Sequence, residues 1–313
     1  SLFETCKAPF FDTQLQEIQT VTDVSKIDYL VMQHTEPDHS GSIEKLLQLA
    51  PDITIVGTIG AITFLKEILN REFKHIVVKD GDTLPLGGKT LQFLQLPFLH
   101  WPDTMYTYIP EDETLMTCDS FGCHFSSPEV FNDVTEDFDG FMDAYKYYFD
   151  NIIGPYKIPY MVNALKKIEP LRIKRICNGH GPVIRSNPQR YIDMYKEWCK
   201  PQPKTNTVTV VYATAYGYTR KLAEEIARGI TDSGVKVEMF DLVKDDLEKA
   251  KESCKKSDGV LLGSCTILGD SLPPINDIVN CFNPTVDKGK LAGAFGSFGW
   301  SGEAVPNLEA RLK

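Results

Sequence analysis

The stretch VMQHTEPDHSGSI, residues 31–43, decides how the first half of the chain is read. It leaves an apolar run, DYLVM (28–32), that reads as a buried strand, and it places His34, Glu36, Asp38 and His39 within six positions. The whole chain holds six histidines, so two on one turn is a concentration. A strand exit followed by a Pro-containing turn lets successive side chains fan into one cavity. Two neighbouring metal ions that share a bridge need that arrangement. Further candidates are His100 in PFLHWPDT, Asp119 in LMTCDSFG and His180 in CNGHGPV, each at the end of an apolar strand where it can reach over the sheet edge. Singly, each also has a structural reading: His100 as a hydrogen-bonded histidine beside Trp101, Asp119 as a helix N-cap, His180 as part of a Gly-His-Gly turn. The metal reading rests on the set. His75 is left to a structural role, and His124 stands at most behind the ligands.

Outward from this stretch, strands such as DITIVG (52–57) and HIVVKDG (75–81) alternate with helical patterns up to about residue 95, the rhythm of an α/β domain. Closely spaced strands TLQFLQL, MYTYIP and TLMTCDS follow, joined by short turns, and predict an antiparallel portion, so this half is mixed. An aromatic-rich stretch, FMDAYKYYFDNIIGPY, leads to a helix and the strand-like IKRICNGHG. The segment CKPQPKTN (199–206) reads as a linker, which divides the chain into domains at 1–200 and 205–313. Beyond it, strands at 207–213, 235–240, 259–264 and 291–297 alternate with helices at 218–232, 245–255 and from 273, predicting a doubly wound parallel sheet.

At 313 residues the chain is long enough for two domains, and its 24% charged and 42% hydrophobic residues match a globular protein. No apolar run approaches the roughly 20 residues of a membrane span, so no membrane role is expected. A formal net charge of −10 argues against a nucleic-acid partner. Eight cysteines show neither a C-x-x-C pair nor a regular framework, which indicates reduced thiols and a cytoplasmic setting. Neither SLFETCKAPF at the start nor NLEARLK at the end reads as a native terminus, so both domains are expected to be incomplete at these ends.

The pattern H-x-E-x-D-H, followed by His, Asp and His at intervals of 61, 19 and 61 positions, resembles the metallo-β-lactamase superfamily. Its hydrolases usually carry His where this chain has Glu36; the Glu form resembles the flavodiiron proteins, in which a lactamase-like αβ/βα sandwich with two irons precedes a flavodoxin-like domain. By that resemblance His34, Glu36 and His100 bind one iron, Asp38, His39 and His180 bind the other, and Asp119 bridges them. A carboxylate in place of imidazole hardens the ligand set and adds negative charge, which suits redox-active iron better than a zinc-hydroxide hydrolase.

After the linker, TVTVVYATAYGYTRKLAEEIARGI (207–230) is a strand, a polar loop and an amphipathic helix. The loop carries Thr214, Ala215, Tyr216, Gly217, Tyr218 and Thr219, so backbone N–H groups, two hydroxyls and a helix N-terminus converge as an anion site suited to one phosphate. No Walker lysine and no G-x-G-x-x-G is present, against ATP and NAD. Two later segments, LLGSCTILGDSLPP and GAFGSFGWSGEAV, fall just past parallel strands, where open α/β sheets bind ligands. They resemble the flavin-ring loops of flavodoxins, which implies FMN with Ser264, Cys265, Thr266, Ile267 and Leu268 as one wall and Ser297, Phe298, Gly299, Trp300, Ser301 and Gly302 as the other. Tyr218 replaces a common Asn, and Cys265 a frequent proline. For Trp300, plain core is the alternative.

The resemblance implies an oxidoreductase that reduces O2 to water, NO to N2O, or both, with FMN passing electrons to the irons from a donor protein or flavin reductase. It also implies a head-to-tail homodimer, or a dimer of dimers, in which each flavin serves the partner's irons; the linker of about eight residues spans at most roughly 28 Å. The competing readings are a binuclear zinc hydrolase with an appended flavin module, and a redox carrier with an inactive metal site.

Overall fold

The computed structural model describes every residue except Gln202, Thr285 and Trp300, and the chain forms two compact units, Ser1–Lys200 and Pro201–Lys313.

The first unit is a sandwich of two sheets with helices on both outer faces. Strands β1 (Leu2–Phe3), β2 (Tyr29–Met32), β3 (Thr54–Gly57) and β4 (His75–Val77) form a parallel sheet in that order. Strands β5 (Thr83–Pro85), β6 (Thr90–Gln95), β7 (Met105–Ile109) and β8 (Thr114–Cys118) pair antiparallel, and β9 (Arg175–Asn178) joins β8 in parallel. Period-2 alternation explains why both faces are apolar. On β2, Val31 packs with Val56, Phe93 and Met105 between the sheets, while Leu30 and Met32 pack outward with Leu46 and Leu65 of the helices Ile43–Leu49 and Ile59–Leu69. On β7 the pattern repeats: Met105 faces the other sheet, and Tyr106 and Tyr108 face an aromatic core with Tyr145 of helix Phe138–Tyr148 and Tyr195 of helix Pro188–Trp198. The aromatic stretch flagged in the sequence thus covers one outer face. The expected mixed character is present, and strands β5 to β8 are antiparallel.

The second unit is a four-stranded parallel sheet in the order β11 (Lys236–Asp241), β10 (Thr207–Ala213), β12 (Gly259–Ser264), β13 (Leu291–Phe295). Helix Tyr218–Asp232 places Ala223 against Val210 and Tyr212 on one face. Helices Leu247–Lys256, Pro273–Val279 and Ala304–Leu312 bury Ala250, Ile275 and Leu308 against Val211 and Leu262 on the other. Strand order reverses at β10, so the loops after β10 and β12 flank a crevice at the carboxyl edge of the sheet.

Candidate metal centre and flavin crevice

The four first candidates owe their placement to the end of β2. Gln33 follows the strand and donates from its amide to the Met105 and Met116 carbonyls at 3.1 and 2.8 Å, fastening the strand exit to β7 and β8. Pro37 then opens a single helical turn, Pro37–Ser40, with Glu36 before it and Asp38 and His39 within it. A turn of 3.6 residues fans these side chains rather than aligning them. Strand β8 shifts register between Met116 and Cys118, and Cys118 adopts a left-handed φ of 51°, so the strand breaks off and presents Asp119. Such irregularities re-aim side chains at sheet ends. His180 follows β9; a Cβ on Gly179 would lie 2.9 Å from His39 Cε1, so a side chain there would drive His39 out of place.

The seven side chains form one cluster. His34 Nε2 lies 3.1 Å from Glu36 Oε2 and 3.4 Å from Asp119 Oδ2; His100 Nε2 lies 3.0 and 3.3 Å from the same two oxygens. The other Asp119 oxygen, Oδ1, lies 2.9 Å from His39 Nε2 and 3.1 Å from His180 Nε2, and Asp38 Oδ2 lies 3.3 Å from His180 Nε2. Asp119 therefore divides its oxygens between two donor groups, His34, Glu36, His100 and Asp119 on one side and Asp38, His39 and His180 on the other. His34, His39 and Asp119 are buried, and the other four are partly exposed.

Electrostatics tie the cluster together. Burial opposes charging His34, yet Asp103 and Glu36 prevail and hold its pKa up at about 9. His180 likewise is desolvated but raised to about 9 by Asp119 and Asp38, and His39 is raised against its burial by Cys118, Glu4 and Asp119. Burial raises Asp119, but His100, His180 and His39 outweigh it and drive the pKa well below the usual carboxylate range. The His180 hydrogen bond lowers Asp38 to about 2. Even so, Asp38 Oδ1 and Asp119 Oδ2 are buried without a satisfactory hydrogen-bond partner. Two orphaned carboxylate oxygens amid four imidazoles, all converging, fit a pair of cations.

Two buried carboxylates absent from the sequence reading stand behind these imidazoles. Glu4 Oε2 is 2.9 Å from His39 Nδ1, and Asp103 Oδ1 is 3.4 Å from His34 Nδ1. A lone Glu near the start and an Asp after Trp-Pro carry no spacing that marks them; only the fold brings them here. His124 lies with its ring 5.5 Å from His180 and 4.8 Å from Tyr148, outside both donor groups, and His75 Nδ1 bonds the Phe73 carbonyl.

In the second unit a cavity of about 860 Å³ opens at the crevice, lined by Ala215, Tyr216 and Tyr218 of the first loop, Cys265, Thr266, Ile267 and Leu268 of the second, and Ser297, Phe298 and Gly299 of the third. Lys221, Leu222 and Glu225 extend its floor along the helix. Tyr216 and Leu268 are 90% and 87% exposed, an apolar rim that a planar ring system would cover. Gly217 occupies the N-cap of helix Tyr218–Asp232 at φ 85°, where an L side chain is strained, and no side chain caps the first turn. Its N–H groups are free to hold a phosphate. The remaining candidates sit behind the cavity: Thr214 Oγ1 accepts from the Gly217 N–H at 2.9 Å, Thr219 Oγ1 bonds Ser297 Oγ at 2.9 Å, and Ser264 Oγ accepts from the Leu272 N–H at 2.8 Å. The threonines shape the loop through the protein itself. Ser301 and Gly302 do not line the cavity, and Trp300 lies outside the described residues.

Comparison with known proteins agrees with this architecture. A family model described as ODP family beta lactamase matches residues 1–181, and a flavodoxin model matches residues 210–313. The chain is 39% identical to the flavo-diiron protein FprA2 of Clostridium acetobutylicum over all of this chain and 80% of that protein. It is 34% identical to the type A flavoprotein fprA of Rhodobacter capsulatus, covering 73% of it. Among solved structures, the rubredoxin oxygen:oxidoreductase of Desulfovibrio gigas superposes with a TM-score of 0.72 at 30% identity, over 99% of this chain and 78% of that one. The flavodiiron protein of Giardia intestinalis gives 0.70 at 32% identity, over 99% and 76%. The chain belongs to the flavodiiron protein family, oxidoreductases that carry a di-iron site and FMN.

Proposed function

We propose that the chain reduces O2 to water, NO to N2O, or both, with electrons entering through FMN. The observation that carries this reading is the division of the Asp119 oxygens between two donor groups. When bound, the iron pair would supply the electrons that reduce the substrate. In this assignment His34, Glu36, His100 and Asp119 would hold one ion, and Asp38, His39 and His180, with Asp119 shared, would hold the other. Three carboxylates offset most of the charge of two divalent ions and so favour their oxidation.

Ala215 to Thr219 would hold the FMN phosphate, and Ile267, Leu268 and Phe298 would cover the ring. Oxygen as substrate draws support from the name of the Desulfovibrio gigas relative, which also names rubredoxin. A small electron-transfer protein or a flavin reductase is accordingly the proposed donor. The domains are assigned as 1–200 for the metal and 205–313 for FMN, and the active form as a head-to-tail homodimer. Eight unpaired cysteines support a cytoplasmic setting, and no helix among the described residues is long and apolar enough to cross a membrane. The zinc-hydrolase alternative is disfavoured by Glu36 and by the flavodoxin match.

The test is gas consumption by protein loaded with iron and FMN, reduced by NADH through an added flavin reductase. Iron-dependent uptake of O2, NO or both is expected. Esterase or thioesterase turnover by the zinc-loaded protein, with no iron-dependent gas uptake, would contradict the proposal.

A further inference from the structure

Glu4 follows the short edge strand β1 and is buried at 8% exposure with a left-handed φ of 56°. Its N–H donates to the Val31 carbonyl at 2.9 Å, tying it to the strand that feeds the metal turn. The next residue grips His39 from behind: both Thr5 N–H and Thr5 Oγ1 donate to the His39 carbonyl, at 2.8 and 2.7 Å. The Glu4 carboxylate then reaches the ring, with Oε2 at 2.9 Å from His39 Nδ1, while Oε1 accepts from Cys118 Sγ at 3.1 Å. Both carboxylate oxygens are thus engaged, and Cys118 immediately precedes Asp119. The far nitrogen of His34 is held more loosely: Asp103 Oδ1 is 3.4 Å away, and Asp103 Oδ2 takes the Thr35 hydroxyl at 2.7 Å.

We infer that Glu4 is a positioning residue for one metal only, accepting the Nδ1 proton of His39 so that Nε2 faces the ion of the Asp38, His39 and His180 group. This rests on the di-iron reading above. A ring nitrogen that binds a cation must offer its lone pair, so the single proton of neutral His39 belongs on Nδ1, where Glu4 receives it. The same bond fixes the ring's rotation and increases its basicity toward the ion. It also decides the role of the three groups Glu4, His39 and Cys118, which lie close enough to suggest a third ion. With Nδ1 carrying its proton toward Glu4, no lone pair of His39 remains for one. The two metals are therefore supported unequally, and the chain can lose one before the other.

Chelator competition on the zinc-loaded full chain tests this. Wild type should hold two zincs; Glu4→Gln, which keeps the shape, should weaken one of them by roughly 10–100-fold and leave the other unchanged. Asp103→Asn should weaken the other zinc, and by less. Nitrogen-detected NMR of the zinc-loaded wild type gives a readout that needs no variant to fold: His39, assigned through its bonds to the backbone, should show a protonated, deshielded Nδ1 and a metal-bound Nε2. Wild type that fails to bind two ions would overturn the di-iron reading and the inference with it. Two tightly held zincs in Glu4→Gln, equal weakening of both, a third zinc lost with Glu4, or an unprotonated Nδ1 on His39 would each overturn the inference while leaving the di-iron reading in place.

Discussion

Asp119 is where the metal centre is most exposed to a single change. It is buried at 1%, and each of its oxygens faces two imidazoles. Replacing it with Ala removes the one group common to both donor sets and leaves like charges or bare imidazoles around a hole, so Asp119→Ala is expected to emerge from desalting with neither iron. His124→Ala, which changes a ring outside both sets, should keep both; equal retention in the two variants would refute the bridging role. The titration of the imidazoles gives a second expectation. In the metal-free protein His34 and His180 are raised from 6.5 to about 9 by their carboxylate neighbours. A raised folded-state pKa contributes stability that is complete below the unfolded value and disappears as pH climbs through the folded one. The melting temperature of the metal-free protein should therefore fall as pH rises from 6.5 to about 9. Iron binding must displace those protons, so apparent affinity should rise over the same interval. A melting temperature that rises across that interval would show that the imidazoles are not charged in the metal-free fold.

Strands and their exits carry the next scale. Phe93 is fully buried between the two sheets of the first unit, and Phe93→Ala is expected to cost about 3–5 kcal/mol in chemical unfolding. The rim of the flavin crevice should behave oppositely. Leu268 and Phe298 are 87% and 67% exposed, so their Ala variants should change stability by no more than about 0.5 kcal/mol while weakening FMN binding measured by fluorescence. A large loss of stability, or unchanged FMN affinity, would remove them from the site. These elements were legible because apolar runs such as YLVM and LQFLQL announce buried strands, and a candidate residue just past such a run belongs at a sheet edge. The same logic puts His34, Asp119 and His180 just past the ends of β2, β8 and β9, where each of them lies. It could not find Glu4 or Asp103, whose importance lies in a contact made 35 and 69 residues away in sequence. Nor does a hydroxyl in a phosphate loop announce its protein partners: Thr214 accepts from the Gly217 N–H and Thr219 bonds Ser297.

For the molecule as a whole, two units with separate cores carry two cofactor sites, and along the sequence a proline-containing linker and a change from a mixed to a parallel strand order fall between them. The proposed homodimer predicts complementation between defective subunits. A variant depleted of FMN, Leu268→Ala with Phe298→Ala after dialysis, and a variant that cannot bind iron, Asp119→Ala, should each be inactive, and activity should return after subunit exchange if each flavin serves the partner's irons. Parents that remain inactive after proven exchange would place electron transfer within one chain. The central claim is the bridged iron pair, and the most direct measurement is the Mössbauer spectrum of the full chain reconstituted with ferrous iron and oxidised, read together with iron content. Two irons per chain, magnetically coupled and both lost in Asp119→Ala, are predicted. A single iron, or two uncoupled irons that survive the loss of Asp119, would contradict it.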